Sequence, residues 1–252
     1  MSDAIKSNAN QYTKPLKTFI KSFLPRYFVD LYHRNNHKKE NSYFVKMAPP
    51  DVFHYIYKNN IWNNPESVSG PGSTLKRTIN LRNDLKQLFT SLSIHEIIDL
   101  PCGDFNWMKE VDLSSFRYLG LDLVPELIEV NKSKYESENI HFKVANLLLD
   151  SIPYADLIFC RDCLVHFSYD HIEKSIHNMK LSGSKYLLTT SFTTPKINYD
   201  ITTGDWRPIN LQIKPFFFPK PLVSIPDEHP DYTSDLGKIV GLWDLQEIKL
   251  KH

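Results

Sequence analysis

The stretch IHEIIDLPCGDFNW, residues 94–107, decides how the rest of the chain reads. Ile97 and Ile98 form an apolar run that ends in Asp99, and the tight turn Pro101-Cys102-Gly103-Asp104 follows. A short apolar run closed by turn residues reads as a buried strand. Its carboxyl end opens into a loop where a ligand can approach backbone, and in open α/β sheets that edge is where ligands bind. One apolar run and one glycine do not make a site alone, so the flanking segments carry the argument.

Upstream, the Ser/Gly/Pro cluster at 66–73 is a loop. Ser73 or Thr74 is a good N-cap for a helix over 75–92, with Leu75, Ile79, Leu81, Leu85, Leu88 and Phe89 as its apolar face. A helix packed antiparallel to the strand after it starts near that strand's carboxyl end. Gly72, Ser73, Thr74, Arg77 and Thr78 should therefore overhang the turn. Free N–H groups at such a helix start favour a carboxylate or phosphate, although plain capping uses the same residues.

Downstream, strands and helices alternate. Strands are expected over 118–122, 140–145, 155–160 and 186–191, and helices over 125–135 and 169–180. Such alternation means a parallel sheet. It stops after Ser191. Residues 193–221 form a long loop with five prolines and Phe216-Phe217-Phe218, and 222–225 and 239–248 give an antiparallel finish.

The bulk properties narrow the classes. The 252 residues suit one large domain or a domain with appendages, and a net charge of +1 makes no global electrostatic claim on nucleic acid. Three cysteines, Cys102, Cys160 and Cys163, argue against a disulfide framework and for a reducing, cytoplasmic setting. The CxxC pair lacks the second ligand pair of a structural zinc site, so no metal is assigned. No apolar run reaches the ~20 residues of a membrane span, and the N-terminus has no secretory h-region. Residues 14–34 read as a basic amphipathic helix interrupted at Pro25. It could lie on an anionic membrane, but the reading taken is that its apolar face packs on the domain. Residues 51–60 read as a further short helix, rich in aromatics.

Four strand ends now converge: Asp99 with its turn, Asp122, Asn146, and Arg161-Asp162. An acid about 20 residues beyond the turn is placed to accept ribose hydroxyls, which implies an adenosine-like ligand. A dinucleotide fingerprint needs three glycines around the turn, and only Gly103 is present. Asp99 and Asp104 would repel a pyrophosphate and attract a sulfonium with an ammonium group.

IIDLPCGDFNW, YLGLDLVPELIEVN, VANLLLDSIP and DLIFCRDCLVHFS resemble, in order, the motifs of class I S-adenosylmethionine-dependent methyltransferases, over residues 70–191. The DLPCGD and CRDCLVH variants resemble a bacterial group of enzymes that decorate surface sugars such as capsule polysaccharide. The resemblance implies an α/β, Rossmann-like, doubly wound sheet of seven strands, mostly parallel, with the last strand antiparallel. Residues 1–69 would then be a helical extension and linker, 70–252 the methyltransferase domain, and 192–221 a substrate-side loop.

It also implies roles. Asp99 and Gly103 would shape the methionine pocket, with Cys102 and Asp104 in the same turn. Asp122 would take the ribose, Leu123 the adenine face, Asn146 and Leu147 the adenine edge, and Arg161 would lie beside the cofactor. Ser73 and Arg77 join this set from the helix start. The sequence departs from the family at Pro101 and Phe105, where glycines are usual.

For the chemistry, an alcohol acceptor needs a base and an amine needs only to arrive unprotonated. Asp162 and His166 are the candidates, His166 because it titrates near neutrality. Trp206, Arg207 and Asn210 in the long loop are the expected clamp for a small-molecule or carbohydrate acceptor, phosphorylated or nucleotide-linked if Arg207 reads it. The alternatives are N-methylation of a small amine, a nicotinamide oxidoreductase, and a cofactor-binding module without turnover.

Overall fold

The computed structural model describes residues 28, 30–32, 43–227 and 236–249. The helix expected over 14–34 lies outside these, apart from 28 and 30–32, which are helical. Helix α1 is Pro49–Lys58, α2 Ile79–Ser91, α3 Pro125–Tyr135 and α4 Tyr169–Leu181. The strands are β1 Glu96–Asp99, β2 Arg117–Asp122, β3 Ile140–Val144, β4 Leu157–Cys160, β5 Tyr186–Phe192, β6 Val223–Pro226 and β7 Lys238–Asp244. No described helix is long and apolar enough to cross a membrane.

The seven strands form one sheet in the order β3-β2-β1-β4-β5-β7-β6. β1 pairs in parallel with both β2 and β4, and β7 is antiparallel to both β5 and β6. The chain leaves β1 toward β2 and β3, then returns across it to β4 and β5. That reversal opens a crevice at the carboxyl ends of β1 and β4.

Strand periodicity divides the core in two. Ile97, Leu157, Phe159 and Leu188 join Leu81, Leu85, Phe89 and Ile128 of α2 and α3. Ile98, Ile158, Cys160 and Leu187 join Ile172, Ile176 and Met179 of α4. Each strand thus feeds both faces, as side chains of period two must. The near-continuous apolar runs follow from that double burial.

Three sequence expectations need correction. The helix read from residue 75 begins at Ile79, because Thr74 Oγ1 accepts from Arg77 N at 3.3 Å and closes a separate turn first. The last strand ends at Asp244, not at residue 248. The alternation is also incomplete. Residues 100–116, between β1 and β2, hold only the 3-10 turn Met108–Glu110, and no α-helix joins β3 to β4. Trp107, Met108, Val111, Leu113 and Phe116 are buried along the first of these crossings and do the packing a helix would do.

The long loop is fixed by side chains in place of regular structure. Asn198 Nδ2 donates to the Asn210 and Lys214 carbonyls at 2.8 and 3.0 Å, and Ile209, Leu211, Phe216 and Phe218 are buried in the α4 face of the core.

Gly120 on β2 sets how closely the β1 turn can sit. A Cβ there would lie 2.6 Å from Phe142 Cδ1 and 3.1 Å from Cys102 Cβ. Gly120→Ala is therefore expected to cost about 1–3 kcal/mol through overpacking. Urea denaturation reads this as a lower midpoint at unchanged slope. An unchanged midpoint would mean that Phe142 simply swings aside.

Candidate functional site

The turn after β1 is stitched to its neighbours. Leu100 N donates to Phe159 O on β4 at 2.8 Å, and Cys102 N to Leu121 O on β2 at 2.9 Å. Gly103 has φ +56°, and a Cβ on it would lie 2.3 Å from Ser69 Oγ, so this position needs glycine twice over. Phe105 also takes a positive φ, +55°. That left-handed backbone costs a bulky residue such as Phe105 roughly 1–2 kcal/mol. Its ring is buried against Tyr118, Tyr135 and Phe142 at centroid distances of 5.1–5.3 Å, which offsets that cost.

The loop at 66–73 closes over this turn. Asp104 Oδ2 accepts from Val68 N at 2.9 Å, Asp104 N donates to Ser69 Oγ at 3.1 Å, and Asn106 Nδ2 donates to Ser73 O at 3.1 Å. Asp122 accepts from Gly103 N and Val124 N, both at 3.1 Å, so its carboxylate is locked at the end of β2. Burial raises the Asp122 carboxyl, with those N–H bonds opposing. Asp99 is 3% exposed. Its Oδ2 accepts from Tyr118 Oη at 2.6 Å. Burial pushes its carboxyl up to about 8, with the Tyr118 bond opposing, the Asp122 charge adding to the rise and Arg161 opposing it.

A buried charge cluster floors the site beyond β4. Arg161 Nε and Nη2 donate to Asp227 Oδ2 and Oδ1 at 2.9 and 3.0 Å, and Nη2 also reaches Gly72 O at 3.0 Å. Lys238 Nζ lies 2.8 Å from both Asp162 Oδ2 and Asp227 Oδ2, and Arg161 Nη1 is 3.2 Å from Asp162. The Arg161 guanidinium lies 5.3 Å from the Trp107 ring centroid. Burial alone would raise the Asp162 carboxyl, but Lys238 and Arg161 outweigh it and hold it well below the usual range. A carboxylate so committed is a poor proton acceptor, which corrects its expected role as base.

His166 sits in the 3-10 turn Leu164–His166. Its Nδ1 lies 3.0 Å from Asp205 O, and Trp62 packs on its ring at 5.3 Å and 37°. A carbonyl can only accept, so Nδ1 carries the hydrogen and Nε2 keeps its lone pair. Burial lowers the imidazole, with the bond to the Asp205 carbonyl opposing, so it is neutral at pH near 7.

One cavity of about 670 Å³ gathers these groups. Ser73, Arg77, Asp99, Cys102, Gly103, Asp104, Asp122, Leu123, Asn146, Leu147, Arg161, Asp162, His166 and Trp206 all line it. Arg207 and Asn210 do not, which corrects the expected clamp. Arg207 is fully buried and donates to the carbonyls of Leu164, Val165 and Phe167 at 3.3, 3.1 and 2.8 Å. Asn210 Nδ2 is spent on Pro195 O at 3.1 Å.

Sequence reading missed Asp227, Lys238, Ser69 and Trp62. Apart from their own pairing with each other, Asp227 and Lys238, like Ser69 and Trp62, have partners 35 to 104 residues away in sequence, and no local spacing shows such a pair. Trp107 stood inside the opening stretch, and its place under Arg161 required the fold. Among the described residues no group of three or more His, Cys, Asp or Glu side chains could hold a metal.

No family model and no curated protein matches the sequence. Among solved structures, the chain is similar to an S-adenosylmethionine-dependent methyltransferase from Anabaena variabilis, at 14% identity and TM-score 0.54, over 78% of this chain and 95% of that one. It is also similar to magnesium protoporphyrin IX methyltransferase from Synechocystis, with S-adenosylhomocysteine bound, at 10% identity and TM-score 0.40, over 57% and 71% of the two chains. The methyltransferase domain of a bacterial Hen1 matches at 14% identity and TM-score 0.42, over 46% and 67%. The chain therefore has the Rossmann-like fold of S-adenosylmethionine-dependent methyltransferases.

Two outcomes follow from these environments. Above about pH 4 the unfolded chain has released the Asp99 proton that the native state still holds, so stability falls as pH rises until the native carboxyl ionises near 8. Asp99→Asn, which can still accept from Tyr118, should gain stability relative to the parent progressively between about pH 4 and about pH 8 and keep a constant advantage above that. A pH-independent difference in denaturation midpoints would refute the burial argument. Arg207→Met should cost about 1–3 kcal/mol, since Phe167 O loses the donor that Nη2 supplies, while Leu164 O and Val165 O keep the backbone donors Phe167 N and Arg207 N. The same variant should leave ligand affinity per folded molecule unchanged, as calorimetry would show.

Proposed function

We propose that the protein transfers a methyl group from S-adenosylmethionine to an oxygen of a small-molecule or carbohydrate acceptor, with His166 as general base. The observation that carries this reading is the cavity at the strand-order reversal, where Asp99 and its turn, Asp122, Asn146-Leu147 and Arg161-Asp162 meet from four strand ends. The fold likeness to the Anabaena methyltransferase supports the choice of cofactor.

The residues fit that cofactor better than a dinucleotide. A pyrophosphate would rest on the first turn of a helix after β1. Residues 100–116 supply only a three-residue 3-10 turn there, beside Asp99, Asp104 and Asp122. Acids suit a cation. Asp122, fixed by Gly103 and Val124, is presented for ribose hydroxyls. Leu123, Val124 and Leu147 give apolar walls for a purine, and Arg77 stands at the lead-in to α2 for a carboxylate.

When bound, the cofactor supplies an electrophilic methyl group, whose bond to sulfur breaks with its electron pair passing to sulfur. Most of the protein's contribution is then alignment, worth as much as about 7–11 kcal/mol in favourable cases. His166 adds the proton step. Its neutral Nε2 takes the acceptor's hydroxyl proton as the new carbon–oxygen bond forms. The finer assignment, to a surface carbohydrate, rests on the DLPCGD and CRDCLVH segments.

Calorimetry separates the readings. S-adenosylhomocysteine should bind and NAD should not, and binding of NAD alone would sink this proposal. His166→Ala should leave that affinity intact while turnover of an alcohol acceptor falls by about 10²–10⁴-fold. A loss of only a few-fold would favour an amine acceptor, which needs no base.

A further inference from the structure

On the reading just given, the far half of the cavity narrows the chemistry of the acceptor. The crevice follows the sheet edge from β2 through β1 to β4 and β5. Past His166 its walls become aromatic: Phe53 and Tyr57 of α1, Trp62, Phe192 at the end of β5, and Trp206. These rings brace one another and their supports. Trp62 packs on His166, Phe53 lies 5.7 Å from Phe167, and Trp206 meets Phe192 edge-on at 6.2 Å.

The charges on this side are already committed. Arg161 and Lys238 face Asp162 and Asp227, two positive against two negative, with every cation within 3.2 Å of a carboxylate oxygen. Arg207, the loop's guanidinium, points into the carbonyls of residues 164–167. Arg77, also in the cavity lining, is the residue that the proposed function assigns to the cofactor's carboxylate. A phosphate or carboxylate entering here would shed water and meet no net positive charge, which is costly for an ion.

We propose that the acceptor is an uncharged molecule that offers a ring face to Trp62 and its aromatic neighbours and a ring hydroxyl to His166. A pyranoside and a phenol share this chemistry. In either, the hydroxyl oxygen bonds to the methyl carbon, the methyl–sulfur pair stays on sulfur, and the hydroxyl proton passes to Nε2 of His166.

The test uses the full chain saturated with S-adenosylhomocysteine and matched probes. Phenyl β-glucopyranoside is compared with its 6-phosphate, and p-cresol with 4-hydroxybenzoate, by calorimetry and tryptophan fluorescence. At least one neutral probe should bind, with its anionic counterpart about tenfold or more weaker. Which pair responds distinguishes sugar from phenol. Trp62→Ala should weaken the neutral probe several-fold and spare S-adenosylhomocysteine, and Trp62→Phe, which keeps a ring face, should recover much of the loss. Equal or tighter binding of the anions, or no binding by either neutral probe, would overturn the inference. Should S-adenosylhomocysteine itself fail to bind, the methyltransferase reading falls. The same probes titrated onto the empty protein then decide the preference, since the aromatic walls belong to the chain.

Discussion

Four charges hold the carboxyl edge of the sheet together. Arg161, Asp162, Asp227 and Lys238 come from the end of β4, the residue after β6 and the start of β7, and Arg161 also reaches the carbonyl of Gly72. Taking such ions out of water costs several kcal/mol each, and only pairing with good geometry offsets it. The geometry is good: Arg161 grips Asp227 with two nitrogens, and Lys238 touches both acids. Loss of Arg161, Asp227 or Lys238, the three buried members, would leave the cluster with an uncompensated charge. The cluster therefore fixes the antiparallel β6–β7 pair against β4 and seats the 70–73 loop over the β1 turn.

Its neutrality has a second consequence. Because the two cations are cancelled locally, the remaining acids set the potential at the other end of the crevice. Asp99, Asp104 and Asp122 stand around the β1 turn. One is kept near neutrality by burial until about pH 8, and becomes easier to ionise when a positive group approaches. The preference for a cationic ligand thus comes from a contrast between an acidic region and a balanced one, not from total charge, which is +1 for the chain.

The parts of the fold legible in the sequence were those with local causes. Ile97-Ile98-Asp99, Leu119 to Asp122 and Leu157 to Cys160 are buried on both faces, so their runs of apolar residues announce strands. Pro125 marks the start of α3 because its fixed φ suits a first helical turn. The start of α2 was misplaced because Thr74 makes a capping-type bond that closes a turn without continuing as a helix. The crossing from β1 to β2 was equally opaque. Trp107, Val111, Leu113 and Phe116 fill it without helical periodicity.

The site shows the same division more sharply. Asp99, Gly103 and Asp122 stand at strand ends, where sequence order and topology together dictate position. Arg207 had the right chemistry for an anionic acceptor and sits in the right loop, yet it is turned to the interior. The cause lies elsewhere in the chain: the 3-10 turn that presents His166 turns the Phe167 carbonyl inward, where Arg207 Nη2 donates to it, and Nη1 adds second donors to Leu164 O and Val165 O, which already accept from Phe167 N and Arg207 N. A guanidinium with five donors can meet several at once, where a lysine could not span them. So the residue that seemed to read the substrate holds the catalytic candidate's turn in place. The proposed acceptor wall draws instead on Phe53, Tyr57 and Trp62 from one short segment and on Trp206 from the long loop far along the chain. A wall assembled that way carries no motif, because the segment and the loop meet only in the fold.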